Sequence, residues 1–121
     1  MRDVLFTRPA EHQLAEILRR SEIEFGSLGR QRYETLVEQA LTDLLADPER
    51  PGVTIAAGRI HYHLQYSRRR VPRSAGQVSR PRHLIIARVI DEALVILALA
   101  HDRMEDELMA RIQEGEAHIE G

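Results

Sequence analysis

Arg59, His61 and His63 recur at every second position of the segment Arg59-Ile60-His61-Tyr62-His63-Leu64-Gln65-Tyr66, while Ile60, Tyr62, Leu64 and Tyr66 fill the alternate positions. Strict alternation describes a strand with one apolar and one polar face, so two imidazoles and a guanidinium share the polar face. Imidazole exchanges its proton near neutral pH, whereas guanidinium is a permanent cation. Together they could transfer a proton beside an anionic centre, with Arg88 and His101 on neighbouring elements completing the set. A metal ion is a second chemistry open to His61, His63, His83 and His101. Metal sites usually recruit a carboxylate or thiolate as well, and residues 51–90 contain neither, so no metal and no cofactor is expected. The plain alternative is that His61 and His63 are polar-face residues turned toward a partner or solvent.

Charge offers another kind of site. From Pro51 to Ile90 there are eight arginines and no acidic residue. Arg68, Arg69, Arg70, Arg73, Arg80 and Arg82 lie in a stretch, 67–82, whose prolines, glycine and serines cannot continue a sheet ladder. Like charges at this density repel unless a partner supplies the opposite sign. In an extended chain Arg68, Arg69 and Arg70 alternate sides, so they cannot all face one partner; a solvated hairpin connection is the plain alternative. Arg88 sits inside an otherwise apolar strand, where an unpaired charge is costly. Either it faces a binding groove, or an Asp or Glu of a neighbouring element pairs with it.

At 121 residues the chain is expected to form one domain with its own core. Hydrophobic residues make up 43%, with two Phe, three Tyr and no Trp, so that core is mostly aliphatic. The absence of cysteine excludes disulfides and thiolate catalysis and suits a reducing cytoplasm. No apolar run is long enough to span a bilayer, and Met1-Arg2-Asp3-Val4-Leu5-Phe6 does not read as a signal peptide. The net charge of −2 gives no default reason to expect direct nucleic-acid binding, and neither nucleic acid nor membrane is an expected partner. All seventeen basic residues are arginine, so no lysine with a tunable pKa is available.

The elements that must position these residues follow from periodicity. Val4, Leu5 and Phe6 make a first strand; Thr7 caps a helix that Pro9 can enter without losing a hydrogen bond. Leu14, Ile17, Leu18 and Phe25 mark its apolar face, and Gly26 with Gly29 brackets a turn. Tyr33, Leu36, Val37, Ala40, Leu41, Leu44 and Leu45 define a second helix ended by Asp47-Pro48, after which residues 48–58 read as a return loop. A strand over His83–Ile90 and a turn at Asp91-Glu92 precede Leu94–Ala100, which is apolar throughout and reads as a central strand covered on both faces. A short helix follows His101-Asp102-Arg103-Met104, with Met104, Leu108 and Ile112 as its stripe; Asp102 suits the helix start. The order β-α-α-β-β-β predicts an α+β domain over 1–112, with an N-terminal strand and a helical hairpin packed on a small antiparallel sheet. Residues 113–121 read as a polar tail.

With these residues in view, the chain resembles the ParE branch of the RelE/ParE superfamily of bacterial toxin–antitoxin modules, also called plasmid stabilisation toxins. The resemblance is carried by the opening Leu5-Phe6-Thr7-Arg8-Pro9-Ala10-Glu11, the middle from Tyr62 to Arg69 and from Arg80 to Ile86, and the closing Val95-Ile96-Leu97-Ala98-Leu99-Ala100-His101-Asp102-Arg103-Met104. It implies a cytoplasmic growth inhibitor held in a hetero-oligomer by a ParD-like antitoxin, with DNA gyrase as target and no catalysis of its own. Binding to antitoxin or target would then fall to Arg59, His61, His63, Arg68, Arg69, Arg70, Arg80, Arg82, Arg88 and Arg103. The RelE branch instead implies a ribosome-dependent endoribonuclease, which cuts RNA through its 2′-hydroxyl. Here that chemistry would rest on Arg59, His61, His63, Arg88 and His101, because the lysines of RelE-type ribonucleases have no counterpart in a chain without lysine. A copy that is no longer toxic and serves only as antitoxin partner and co-repressor is the remaining reading.

Overall fold

The computed structural model describes residues 3–120. Met1 and Arg2 of the N-terminal segment and Gly121 of the expected tail lie outside the described residues. Strand β1 (Asp3–Phe6) leads into helix α1 (Arg8–Ala46). Thr7 makes the junction: its hydroxyl accepts the Ala10 amide at 3.3 Å and donates to the Leu97 carbonyl at 3.3 Å.

Helix α1 is the expected helical hairpin, joined by a single residue rather than a loop. Gly26 has φ 77° and ψ −178°, a conformation closed to side-chain-bearing residues, and the chain is helical immediately on either side. Nothing lies within 4 Å of where a Gly26 Cβ would stand, so the backbone angle alone demands glycine there. At Gly29 space decides instead, since a Cβ would come within 2.4 Å of the Phe25 Cβ. The first arm buries Ala10, Ile17 and Leu18; the second buries Tyr33, Leu36, Val37, Ala40 and Leu44. Phe25, expected on the buried face, is 71% exposed at the hairpin tip, beside exposed Ile23 and Leu28.

Five strands form one sheet in the order β1-β5-β4-β3-β2. The expectation of an antiparallel sheet holds for four of them. Strand β1 instead runs parallel to β5, because its neighbour is the last strand and not the next one in the chain, so no tight turn forces the two to run antiparallel. Strand β2 (Thr54–Ala56) lies within the expected return loop and pairs antiparallel with β3 (Arg59–His63) across Ala57 and Gly58, both at positive φ. The strand expected to reach Tyr66 stops at His63, whose Nδ1 accepts the Gln65 amide and so caps a 3-10 turn over Leu64–Arg70. A second 3-10 turn, Arg73–Ala75, precedes β4 (His83–Ile90), and Asp91 and Glu92 turn the chain into β5 (Ala93–His101).

Both faces of β5 are covered, as its unbroken apolar run predicts. Ile85, Ala87, Leu94, Ile96 and Leu99 pack under α1, whereas Ile86, Val95, Leu97 and Ala98 pack under Ile112 of helix α2 (Glu105–Glu120). A bulge between Ile86 and Ala87 accommodates the extra residue, Leu97, on β5. Gly115 lets α2 lie directly on that point, since a Cβ there would sit 2.1 Å from the Leu97 carbonyl oxygen. Residues from Gln113 onward, expected as a polar tail, continue this helix to Glu120. Among the described residues no helix is long and apolar enough to cross a membrane.

Candidate functional site

The β3–β4 loop is anchored by one buried carboxylate. Asp43 of α1, its side chain 1% exposed, accepts the Ser67 hydroxyl at 2.7 Å, Arg70 Nε at 2.7 Å, Gln39 Nε2 at 2.9 Å and Arg50 Nη1 at 3.0 Å. Arg50 Nη1 also donates to the Tyr62 hydroxyl, which pairs with Ser67 Oγ at 2.7 Å. Burial pushes the Asp43 pKa up. The Ser67, Gln39 and Arg70 hydrogen bonds and the Arg50 charge outweigh it and hold the carboxyl below the ordinary aspartate range.

On the α2 side of the sheet, Arg59 of β3 and Arg88 of β4 converge on Glu116. Arg59 grips it with Nη2–Oε1 at 2.6 Å and Nε–Oε2 at 3.1 Å, and Arg88 Nη1 reaches Oε2 at 3.0 Å. Arg59 foremost keeps Glu116 ionised below the usual glutamate range. Of the two possibilities open for Arg88, the paired one is therefore the one observed. His61 stands next along β3, its pKa lowered by burial and by the Arg59 charge.

His63 and His101 belong to a different cluster, where β3 and β5 end and β4 begins. Because His63 Nδ1 accepts the Gln65 amide, its proton sits on Nε2, which donates to Asp102 Oδ2 at 3.1 Å. His101 Nδ1 likewise accepts the Arg103 amide at 3.1 Å. His83 pairs with His101 in register across the sheet, their rings edge-to-face at 5.3 Å. The Tyr33 hydroxyl accepts the Arg82 amide at 3.3 Å and donates to His83 Nδ1. Burial, then the neighbouring His101, lowers the His83 pKa to about 4, and burial raises Tyr33 to about 12, so both are neutral at physiological pH. Burial works to raise the Asp102 carboxyl, but the His63 hydrogen bond and nearby cations hold it below the ordinary range.

Tyr33, His83 and His101 of this cluster line a groove of about 1270 Å³ between the hairpin tip and the ends of β4 and β5. Five arginines, Arg32, Arg80, Arg82, Arg103 and Arg111, line it, as do the Arg20–Glu16 pair, Glu24, Glu107 and apolar Ile17, Phe25, Leu28 and Met104. Among the described residues no carboxylate lies within ion-pair distance of those five arginines.

The residues singled out by sequence thus fall into three places. Arg59, His61 and Arg88 lie under α2, with the two guanidiniums already neutralised. His63 donates to Asp102 and His101 stands beside it without a hydrogen bond to it, while Arg80, Arg82 and Arg103 line the groove. Of the loop arginines, Arg68 donates to the Val78 carbonyl at 2.6 Å and Arg70 to Asp43; Arg69 is exposed. Sequence reasoning missed Tyr33 and His83 as partners, and Phe25 and Leu28 as groove walls. An apolar pair flanking Gly26 was the available signal for an exposed tip.

None of the curated proteins compared with the chain matches it. A family model does match, that of the ParE toxin of the type II toxin–antitoxin system, parDE, over residues 4–106. The match runs from β1 to the first turn of α2, so Gly115 and Glu116 fall beyond it. The hairpin, strands β2 to β5 and most of the groove lie within it, Arg111 alone of the groove arginines falling beyond: the chain belongs to the ParE toxin family of type II toxin–antitoxin systems.

Proposed function

We propose that this toxin acts by binding rather than by catalysis, in the cytoplasm, with DNA gyrase as its target and a ParD-like antitoxin as its neutralising partner in a hetero-oligomer. The observation that carries the reading is the groove. It sets Arg32, Arg80, Arg82 and Arg103, none within ion-pair distance of a carboxylate among the described residues, around exposed Phe25 and Leu28; these cations outnumber Glu24 and Glu107 beside them, which suits an acidic, amphipathic segment such as an antitoxin would insert. The disposition of the other cations supports binding over RNA cleavage. A ribonuclease needs its arginines free to meet a phosphate, whereas Glu116 already occupies Arg59 and Arg88. The test is a gyrase supercoiling assay with the purified chain. Inhibition relieved by adding the antitoxin supports both halves of the proposal; inhibition that antitoxin leaves intact removes the antitoxin half, and no inhibition removes the target.

A further inference from the structure

We propose that the loop between β3 and β4 is a docking surface for the phosphate backbone of duplex DNA. The proposal builds on the gyrase reading, since that target carries DNA, but it concerns the exposed face of the loop, which adjoins the groove and shares Arg80 with its wall.

Of the eight arginines between Pro51 and Ile90, Arg59 and Arg88 are neutralised by Glu116 and Arg70 by Asp43. Arg69, Arg73 and Arg80 remain exposed on the loop, and among the described residues no carboxylate lies within ion-pair distance of them.

The loop holds them on a braced scaffold. Arg68 Nε ties its first half to the Val78 carbonyl at 2.6 Å, and Gln77 Nε2 donates to the Val71 carbonyl at 3.2 Å. Val71 and Pro81 are buried beneath it. The Arg32 side chain of α1 lies against Gly76, whose φ of 80° favours glycine there. Cations presented this way lose little freedom on meeting a ligand.

What surrounds them selects the ligand. The other exposed residues of the loop are Gln65, Tyr66, Pro72, Ser74, Ala75, Ser79 and the Asp43-paired Arg70. A peptide needs apolar anchors to hold it, and those stand in the groove, at Phe25 and Leu28, rather than on the loop. A single strand needs a row of aromatic platforms, and Tyr66 stands alone. A duplex backbone asks only for cations and small hydrogen-bonding groups, which is what the loop displays. The overall charge of −2 conceals this because the acids are concentrated before Pro51 and after Ile90.

The test is fluorescence anisotropy of the full chain with a labelled duplex of about 20 base pairs over a salt series, beside the combined variant Arg69→Ala, Arg73→Ala and Arg80→Ala, whose folding is checked by circular dichroism. With three phosphates neutralised, log K should fall with log salt at a slope near −3 (about 0.9 per contact). The variant should lose most of that slope and at least about tenfold in affinity at about 50 mM salt. Absence of wild-type binding at that salt, or an unchanged slope in the folded variant, overturns the proposal. So does binding of a polyglutamate peptide, tighter than that of the duplex, that Arg69→Ala with Arg73→Ala abolishes, which would assign the loop to a protein partner. Because gyrase is absent from the measurement, failure here leaves supercoiling inhibition as a separate result.

Discussion

Glu116 and Arg59, 57 positions apart in sequence, meet through two parallel hydrogen bonds of 2.6 and 3.1 Å. The contact fastens the second half of α2 to β3, and Arg88 joins it from β4. Glu116→Ala should free both guanidiniums and loosen this end of α2. The three side chains are partly exposed, so solvent screens much of the interaction, and a loss of about 1–2 kcal/mol is expected. Thermal unfolding of the variant should show a lowered Tm; an unchanged Tm would mean that the helix is held by Ile112 and Gly115 alone.

Asp43 should matter more, because its side chain is almost wholly enclosed and four donors depend on it. Asp43→Ala leaves Arg50, only 17% exposed, without its carboxylate, at a cost of about 3 kcal/mol. Denaturant unfolding measures the loss. Hydrogen exchange should also show amides of the Leu64–Arg70 turn losing protection, since Ser67 and Arg70 lose their anchor. Retained protection would contradict the anchoring role.

The same carboxylates set an acid limit on stability. Asp43, Asp102 and Glu116 all have folded pKa values below their ordinary ones. As pH falls, the unfolded chain therefore takes up their protons first. Their stabilisation is complete at neutral pH and is lost below about pH 4, as each depressed value is crossed. Unfolding free energy should hold steady from neutral pH to about 5 and then drop, with a shallower drop in Asp43→Ala. Equal acid slopes for wild type and variant would remove Asp43 from that account.

Two glycines separate two physical demands. Gly26→Ala meets open space but a forbidden φ, and should cost about 1 kcal/mol or somewhat more. Gly115→Ala keeps a helical backbone but drives a methyl into the Leu97 carbonyl, and should cost about 1–3 kcal/mol through displacement of α2. Unfolding of both variants checks the pair. A neutral Gly115→Ala would show that α2 does not press on the β5 bulge.

Much of the fold was legible because apolar periodicity reports directly which face of an element is buried. The stripe from Tyr33 to Leu44 and the unbroken run of β5 are examples, and both proved to be core. What the chain order conceals is pairing at a distance. Nothing near Val4 signals that β1 runs parallel to β5, and Thr54-Ile55-Ala56 is too short and too exposed to show a strand pattern. Phe25 misled for a related reason: it falls on the helical repeat of Ile17 and Leu18, but the hairpin tip carries it past the edge of the sheet. The site was legible as a list of cations and imidazoles, not as an arrangement. Whether a given arginine is free depends on Asp43 and Glu116, which lie outside the acid-free segment.

Phe25→Ala is the cleanest probe of the groove. The ring is 71% exposed, so the folded chain should lose little stability. If an amphipathic antitoxin segment packs on it, affinity for the antitoxin should fall about 10- to 100-fold. Titration calorimetry with the purified antitoxin reads this, and unchanged affinity would place the antitoxin elsewhere on the surface.

The most direct measurement for a toxin that binds gyrase without catalysis is supercoiling inhibition by wild type and by the combined His61→Ala and His63→Ala variant, both antitoxin-free and verified as folded. Inhibition by both proteins is the expected result, because neither imidazole is assigned a chemical step. No inhibition at large molar excess, together with cleavage of ribosome-bound mRNA that the double variant has lost, would contradict it.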